Sequence, residues 1–504
     1  MKTKKTVSVI GAGVAGLASA IRLQHAGYSV ELFEKESIPG GKMNLVEKDG
    51  YRFDLGPSIV MMPDLYREVF ELTGRNPDDY IPMERLDPMY TAHFNRGKEQ
   101  FDVSSDLVSL TKTLEEISEE DAQGFMHYLK DIYERFNVAK DHFLQRPFRN
   151  ASDFYRPSVI KQALKLKTFD SADHMISQYV KDERLQQMLS FQTLYIGLSP
   201  KNGPSLYTII PMIELLYGVW FIKGGMHTMA ESMERLFIEL GGKVHYHTPV
   251  EEILIENQQA KGIKLADSEV YSDFVMCNAD FPYAMKNLVK EPKAKGKYTD
   301  KKIDSMKYSC SCFILYLGMD RKYQELANTH NFVFSEDLDQ NIEEIFNGTK
   351  LSDPSLYLYM GSKMDPTLAP EGKDGLYVLV PVSELSTAQY EWTDETVQYY
   401  REKALQSLKN LPGLENIEQE IVSESYITPL DFESRFNAYN GACFGLQPNL
   451  LQSNHFRPQS KAKNCENLYF TGSSTHPGAG VPIVLLSAKI ATEELILDDQ
   501  PVHA

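Results

Sequence analysis

The 504-residue chain carries 52 Lys and Arg against 70 Asp and Glu, a formal net charge of −18. That balance excludes a nucleic-acid partner, which needs clustered cations along the phosphate backbone, and a purely electrostatic hold on anionic lipid. Hydrophobic residues at 42% and charged residues at 24% describe an ordinary globular chain, long enough for two or three packed domains.

The first predicted element is a short β-rich run, VSVI at 7–10, ending at Gly11. Gly11, Gly13 and Gly16 make a G-x-G-x-x-G, Ala15 opens a predicted helix over 15–26, and YSVELFE follows as a second strand ending in Glu34. Strand, helix, strand and terminal acid in this register form the dinucleotide fingerprint. Gly11 permits the tight turn, Gly13 lets backbone approach a pyrophosphate, and Gly16 lets the helix lie close on the strand. The helix N-terminus offers N–H groups to phosphates, and Glu34 can accept hydrogen bonds from a ribose diol. Three early lysines and the ASA at 18–20 imitate a secretory leader. The ASA, however, lies inside an amphipathic helix that continues into IRLQHAG, so no cleavage is expected.

After the second strand come Lys35, the glycine pair Gly40 and Gly41, Lys42, and then Phe53-Asp54-Leu55-Gly56-Pro57-Ser58. A second glycine pair here suggests backbone pressed against a ligand beyond the ribose, with Lys42 in reach of a phosphate or a ring system. Residues 107–220 read as mainly helical and rich in Phe, Tyr, Leu and Met. Within them, SVIKQALKLKTF at 158–169 is locally basic. The most apolar window, 208–222, is shorter than the ~20 residues a bilayer needs and is interrupted by Pro211 and Glu214. Residues 241–280 alternate like several short strands and end in Asn278-Ala279-Asp280. The five cysteines, Cys277, Cys310, Cys312, Cys443 and Cys465, are odd in number and scattered. They suit neither a disulfide framework nor a zinc site, and a reducing cytosolic setting follows. No metal-ligating cluster and no nucleophile triad is visible. Near the far end, 468–471 reads as a strand, followed by a glycine-rich loop and a helix from about Val481.

Taken together, G-x-G-x-x-G, E-K-x(4)-G-G-[RK] and F-D-x-G-P resemble the FAD-dependent oxidoreductases of the amine oxidase and phytoene desaturase superfamily. THPGAGVP at 475–482, with FQTLYIGLSPKNGPSLYTIIPMIELLYGVWFIKGGM at 191–226 and CFGLQPNLLQSNHFRPQ at 443–459, is similar to bacterial carotenoid desaturases of the phytoene type. Within that family the chain looks closest to the C30 dehydrosqualene desaturases. The resemblance implies an α/β fold: a Rossmann-like FAD-binding domain, discontinuous in sequence, with a substrate domain of mixed sheet and helices. The expected segments are 1–70, 226–285 and 456–504 for the FAD domain, 71–225 for a mainly helical substrate- and membrane-facing part, and 286–455 for the mixed substrate part.

It further implies FAD contacts from Gly11, Gly13, Ala15, Gly16, Glu34, Lys35, Gly41, Lys42, Gly56, Pro57, Ser58, Val250, Gly472, Gly480 and Val481. Val250 stands where the family contacts adenine through backbone, and the last helix aims its positive end at the flavin. Lys42 occupies a position where many members have Arg, whose planar fork differs from an ammonium. The implied substrate is an apolar carotene in a deep apolar tunnel, desaturated by loss of a hydride to the flavin and a proton to an acceptor. Asp153, with Arg149 upstream, stands where members of the family often keep an acidic residue; Glu214 and His476 are further candidates. Oxygen or a quinone would reoxidise the flavin. Peripheral association with the inner face of the cell membrane, from the cytoplasm, is expected.

Overall fold

The computed structural model describes residues 4–140, 155, 157 and 170–500. Arg149, Asp153 and the basic stretch at 158–169 lie outside the described residues.

The opening strand β1 (Thr6–Ile10), helix α1 (Val14–His25) and strand β2 (Ser29–Phe33) form the expected β-α-β unit. Five strands make one all-parallel sheet, in the order Leu468–Phe470, Phe274–Cys277, β1, β2, Lys243–His245. Parallel strands need crossovers that cover both faces, and the chain supplies them from three distant stretches. Helix α1 lies between the sheet and the helices His227–Glu239 and Val481–Asp499. That position explains its small residues: Ala15, Gly16, Ala18, Ser19 and Ala20 are all buried, and any larger stripe would hold the helices apart.

Of the alternating run at 241–280, only the end strands join this sheet. Glu252–Glu256, Gln259–Lys264 and Glu269–Tyr271 pair with one another as a separate antiparallel sheet.

A second, seven-stranded sheet runs in the order Ile421–Ile427, Ser311–Met319, Gly375–Val382, Leu356–Tyr359, His330–Val333, Tyr90–Phe94, Glu99–Val103. It therefore draws strands from both the 71–225 and the 286–455 segments. Its central strands are buried on both faces, and the two-residue period of a strand sorts them. Phe313, Leu315, Leu317, Leu358, Val378 and Val380 pack with Tyr400, Ala404, Leu405 and Leu408 of the helix Asp394–Leu408. The alternate positions Cys312, Ile314, Tyr316, Phe332, Tyr357, Tyr359 and Tyr377 belong to the opposite core, shared with Phe53 and with the helices of the middle segment.

The middle segment is helical in Leu107–Ile117, Glu119–Ala139, Ala172–Ser177, Glu183–Ser190 and Ile209–Tyr217. The apolar window at 208–222 is not one helix. Gly218 adopts φ +72 and ends it, and the β-branched and aromatic Val219–Ile222 pairs antiparallel with Met83–Leu86. Among the described residues no helix is long and apolar enough to cross a membrane.

Candidate active site

A cavity of about 560 Å³ lies between the two sheets. Gly11, Gly13, Ala15, Glu34, Lys35, Gly41, Lys42, Gly56, Pro57, Ser58, Val250, Gly472, Gly480 and Val481 all line it, from stretches more than 400 residues apart in sequence. Gly16 does not. A Cβ on Gly16 would sit 2.0 Å from the carbonyl oxygen of Gly11, so its place is the close approach of α1 to β1.

Two helix N-termini open on the cavity. Neither α1, with Gly13 at its N-cap, nor Val481–Asp499, with Gly480 there, has a side-chain cap. The orphan first-turn N–H groups of both helices are thus left for a ligand. Glu34 Oε2 accepts the Ala12 N–H at 2.7 Å and Oε1 the Glu36 N–H at 2.9 Å, so the carboxylate first ties the glycine turn to the end of β2. Each oxygen keeps a second lone pair for a ribose hydroxyl.

The two cavity-lining lysines also tie this side to a distant part of the chain. Lys35 Nζ donates to the Ser434 carbonyl and to Asn437 Oδ1, at 3.1 and 3.2 Å. Lys42 Nζ donates to the carbonyls of Ala442 and Cys443, at 3.2 and 2.8 Å. Both ammonium groups bridge the nucleotide-side loops to the segment around 434–443.

The Asp54-to-Ser58 turn is pinned from the seven-stranded sheet by four tyrosines. Tyr316 Oη donates to the Leu55 carbonyl at 2.5 Å and Tyr377 Oη to the Gly56 carbonyl at 2.8 Å. Tyr357 Oη lies 2.7 Å from Ser58 Oγ, and Tyr359 Oη donates to Asp54 Oδ2 at 3.3 Å. Asp54 Oδ1 also accepts the Met226 N–H at 2.6 Å, at the start of the helix His227–Glu239. Burial raises the Asp54 carboxyl to a pKa of about 7.

At the far end of the chain, Arg457 is buried and donates to four carbonyls: Thr475 at 3.0 Å, Gln452 at 3.2 Å, Leu446 at 3.1 Å and Ser473 at 2.5 Å. Asp280 accepts from the Ser474 hydroxyl and, at 3.0 Å, from the Tyr439 N–H. Asn278 is the side chain nearest to Cβ positions built on Gly11, Gly13 and Gly472. The N-A-D at the end of Phe274–Cys277 therefore closes the gap between the first and last glycine loops.

Away from the glycines the wall is hydrocarbon, with Phe191, Leu194, Ile210, Ile213, Phe332 and Phe334 among its residues. Ser58 and Tyr357 also line it, and Tyr357 Oη is 2.7 Å from Nδ1 of the buried His330. Glu214 is buried one residue beyond the lining Ile213 but does not itself line the cavity. Its Oε2 accepts from Gln192 Nε2 at 3.1 Å, and burial raises its pKa to about 8. His476 is likewise buried off the cavity, its backbone N–H donating to the Pro458 carbonyl at 2.8 Å.

A side-chain-free glycine cradle, two uncapped helix N-termini and an acid at the end of β2 fit an adenine dinucleotide carrying a ring system. A family model described as flavin containing amine oxidoreductase matches residues 14–496. The chain belongs to that family. This flavin oxidoreductase uses FAD. It is 45% identical over 495 residues, 98% of this chain and 99% of the relative, to a 4,4'-diapophytoene desaturase (4,4'-diaponeurosporene-forming) of Staphylococcus haemolyticus. It is 45% identical over 496 residues, again 98% and 99%, to the protein of that name in Staphylococcus aureus strain Newman. Among solved structures, an oxidoreductase from Methanosarcina mazei matches with a TM-score of 0.65 at 20% identity, over 97% of this chain and 100% of that one. That likeness shows the fold.

Sequence reasoning missed Arg457, the side-chain role of Asn278 and the four tyrosines. Single tyrosines on buried strands read as core packing, and nothing in NHFRPQS marks Arg457 as a carbonyl clamp.

Proposed function

We propose that this flavin oxidoreductase is a desaturase that introduces successive conjugated double bonds into a C30 carotene, taking 4,4'-diapophytoene toward 4,4'-diaponeurosporene. The observation that carries the reading is identity of 45% sustained over 98% of the chain to desaturases of that name. The hydrocarbon wall supports it, because a carotene offers almost nothing to hydrogen-bond and gains its affinity from buried apolar area, ~25 cal/mol per Å².

When bound, FAD takes up two electrons and one hydrogen from the carbon being oxidised. Gly11, Gly13 and the N-terminus of α1 would hold its pyrophosphate, and Glu34 its ribose. The N-terminus of Val481–Asp499, which opens on the cavity, would offer the flavin the equivalent of roughly half a positive charge, fixed in place before any charge develops. Phe191, Ile210, Ile213, Phe332 and Phe334 hold the hydrocarbon and keep water from the reacting carbons.

We also read the protein as a peripheral membrane protein. Leu450, Leu451 and Phe456 are 42%, 78% and 38% exposed on one short stretch, beside Tyr155, whose ring meets that of His455. Bilayer-dissolved substrate and an exposed apolar patch suit one another.

The test is to incubate FAD-loaded protein with 4,4'-diapophytoene in vesicles and follow visible absorption and product mass. Loss of successive pairs of hydrogens, with yellow products, supports the reading. Oxygen gained at a terminal methyl group, with no hydrogens lost in pairs, would replace it by a methyl oxidase, and turnover of phytoene alone by a C40 desaturase.

A further inference from the structure

We propose that Tyr357 accepts the proton released in desaturation and that His330, acting through it, receives the proton Tyr357 gives up; the inference rests on the desaturase reading above. Once two electrons and one hydrogen have left for the flavin, a C–H bond on the adjacent carbon must break. Its electron pair becomes the new π bond, and its proton needs an acceptor within reach of the hydrocarbon.

Among the described residues, the carboxylates lining the cavity are Glu34, Glu36 and Asp280. All three lie beside the glycine loops rather than on the hydrocarbon wall. Glu34 holds the backbone N–H groups of Ala12 and Glu36, and Asp280 holds Ser474 and the Tyr439 N–H. Glu214 lies off the lining altogether.

The hydrocarbon wall offers instead a chain of hydrogen bonds leading inward. Ser58 Oγ, Tyr357 Oη and His330 Nδ1 are spaced 2.7 and 2.7 Å apart. The first two residues line the cavity, whereas His330 sits behind them, 1% exposed, with no hydrogen-bond partner at Nε2 among the described residues. The imidazole is held flat against Tyr357 and Tyr359, with ring centroids 5.9 and 5.2 Å apart.

Phenol is the stronger acid of the pair and imidazole the stronger base. Tyr357 O–H therefore donates to Nδ1, and Ser58 O–H donates to Tyr357 Oη. In the step, the proton leaving carbon goes to Tyr357 Oη as the phenol's own proton moves to Nδ1, leaving an imidazolium. Burial pushes the His330 pKa down to about 3, which keeps the ring neutral at rest. It also makes the imidazolium surrender its proton by the same path when product leaves and water enters. A C–H beside an allylic cation is acidic enough to drive the transfer.

Two measurements on FAD-loaded protein test this. In steady-state turnover of 4,4'-diapophytoene with oxygen or a quinone supplied as electron acceptor, Tyr357→Phe and His330→Gln should each lower kcat at least tenfold, with KM and FAD affinity within twofold of wild type. In 15N NMR of histidine-labelled protein, the signal lost in His330→Gln should be that of a neutral ring protonated at Nε2 and still neutral at pH 5. Should Tyr357→Phe misfold, His330→Gln and the NMR signal still decide. Turnover of either variant within twofold of wild type overturns the relay, as does a His330 ring protonated at Nδ1. Wild-type protein whose flavin stays oxidised when mixed with 4,4'-diapophytoene in the absence of any electron acceptor overturns the desaturase reading and the relay with it.

Discussion

Replacing Arg457 by lysine should loosen the last glycine loop and weaken FAD binding while keeping the positive charge. The residue is 1% exposed and its guanidinium donates to four carbonyls, two of them, on Ser473 and Thr475, inside the loop that lines the cavity. An ammonium carries its three donors on one atom and cannot span that fork. If it reaches two of the four carbonyls, the other two stay buried without a partner. At about 1–3 kcal/mol for each, the loss is roughly 2–6 kcal/mol, a large share of the ~5–15 kcal/mol that holds a native protein together. Urea unfolding followed by tryptophan fluorescence measures the loss, and quenching of flavin fluorescence on titration measures FAD affinity. The expected outcome is a lower unfolding midpoint and an FAD Kd raised at least tenfold. A lysine variant that matches wild type in both would refute the idea that this carbonyl fork shapes the loop.

Gly13→Val should abolish FAD binding, because even a Cβ there lies 2.7 Å from Asn278 Nδ2 and a branched side chain fills the cradle; wild-type affinity by equilibrium dialysis would contradict this. Stability should fall as pH rises from 5 to 8.5. Asp54 and Glu214 have folded pKa values raised by burial to about 7 and about 8, so their contribution is full below the unfolded carboxylate range and is lost as pH passes through the folded values. Glu214→Gln should flatten that slope in urea unfolding across the pH series, and an unchanged slope counts against it. Leu451→Asp, at the most exposed point of the apolar patch, should cut liposome flotation severalfold, whereas 1 M salt should release little wild-type protein; salt-sensitive binding would point to charge instead.

The nucleotide half of the cavity is legible in the sequence because its chemistry is backbone chemistry. Where backbone must approach a ligand, glycine is the residue that fits, and Gly11, Gly13, Gly40 and Gly41 leave a pattern visible in the sequence alone. Gly11, Gly40 and Gly41 adopt φ of +91, +116 and +57, and no larger residue would take those values without strain. The cavity-lining places of Val250 and Gly480 follow from resemblance, not from local pattern. The other half is opaque because its function lies in side chains that look like core. Tyr316, Tyr357, Tyr359 and Tyr377 alternate with aliphatic residues as any buried strand does, and only the register that sets Ser311–Met319 and Leu356–Tyr359 on either side of Gly375–Val382 turns their hydroxyls onto one loop. Lys42 shows the converse. Its motif suggests reach to a phosphate or the flavin, and the ammonium also bonds the carbonyls of Ala442 and Cys443, a partner 400 residues away that no local pattern announces.

The two halves also divide the work of specificity. Hydrogen bonds fix a nucleotide in one pose, since each unmet donor or acceptor costs about 1–3 kcal/mol. A hydrocarbon wall fixes depth but not register, because sliding a polyisoprenoid by one repeat exchanges equivalent contacts. On the desaturase reading, that indifference lets one site act several times along one molecule, each step lengthening the conjugation that stabilises the next cation. Register must then come from whatever polar point the wall retains. On the proposed relay that point is the Tyr357 hydroxyl, held between Ser58 and His330 at 2.7 Å on either side. Only a carbon pair with one hydrogen toward the flavin and the neighbouring one toward Tyr357 completes the reaction. Position along the chain would thus be selected at the chemical step rather than in binding. Tyr357→Phe should therefore blur the order in which double bonds are introduced as well as slow their formation.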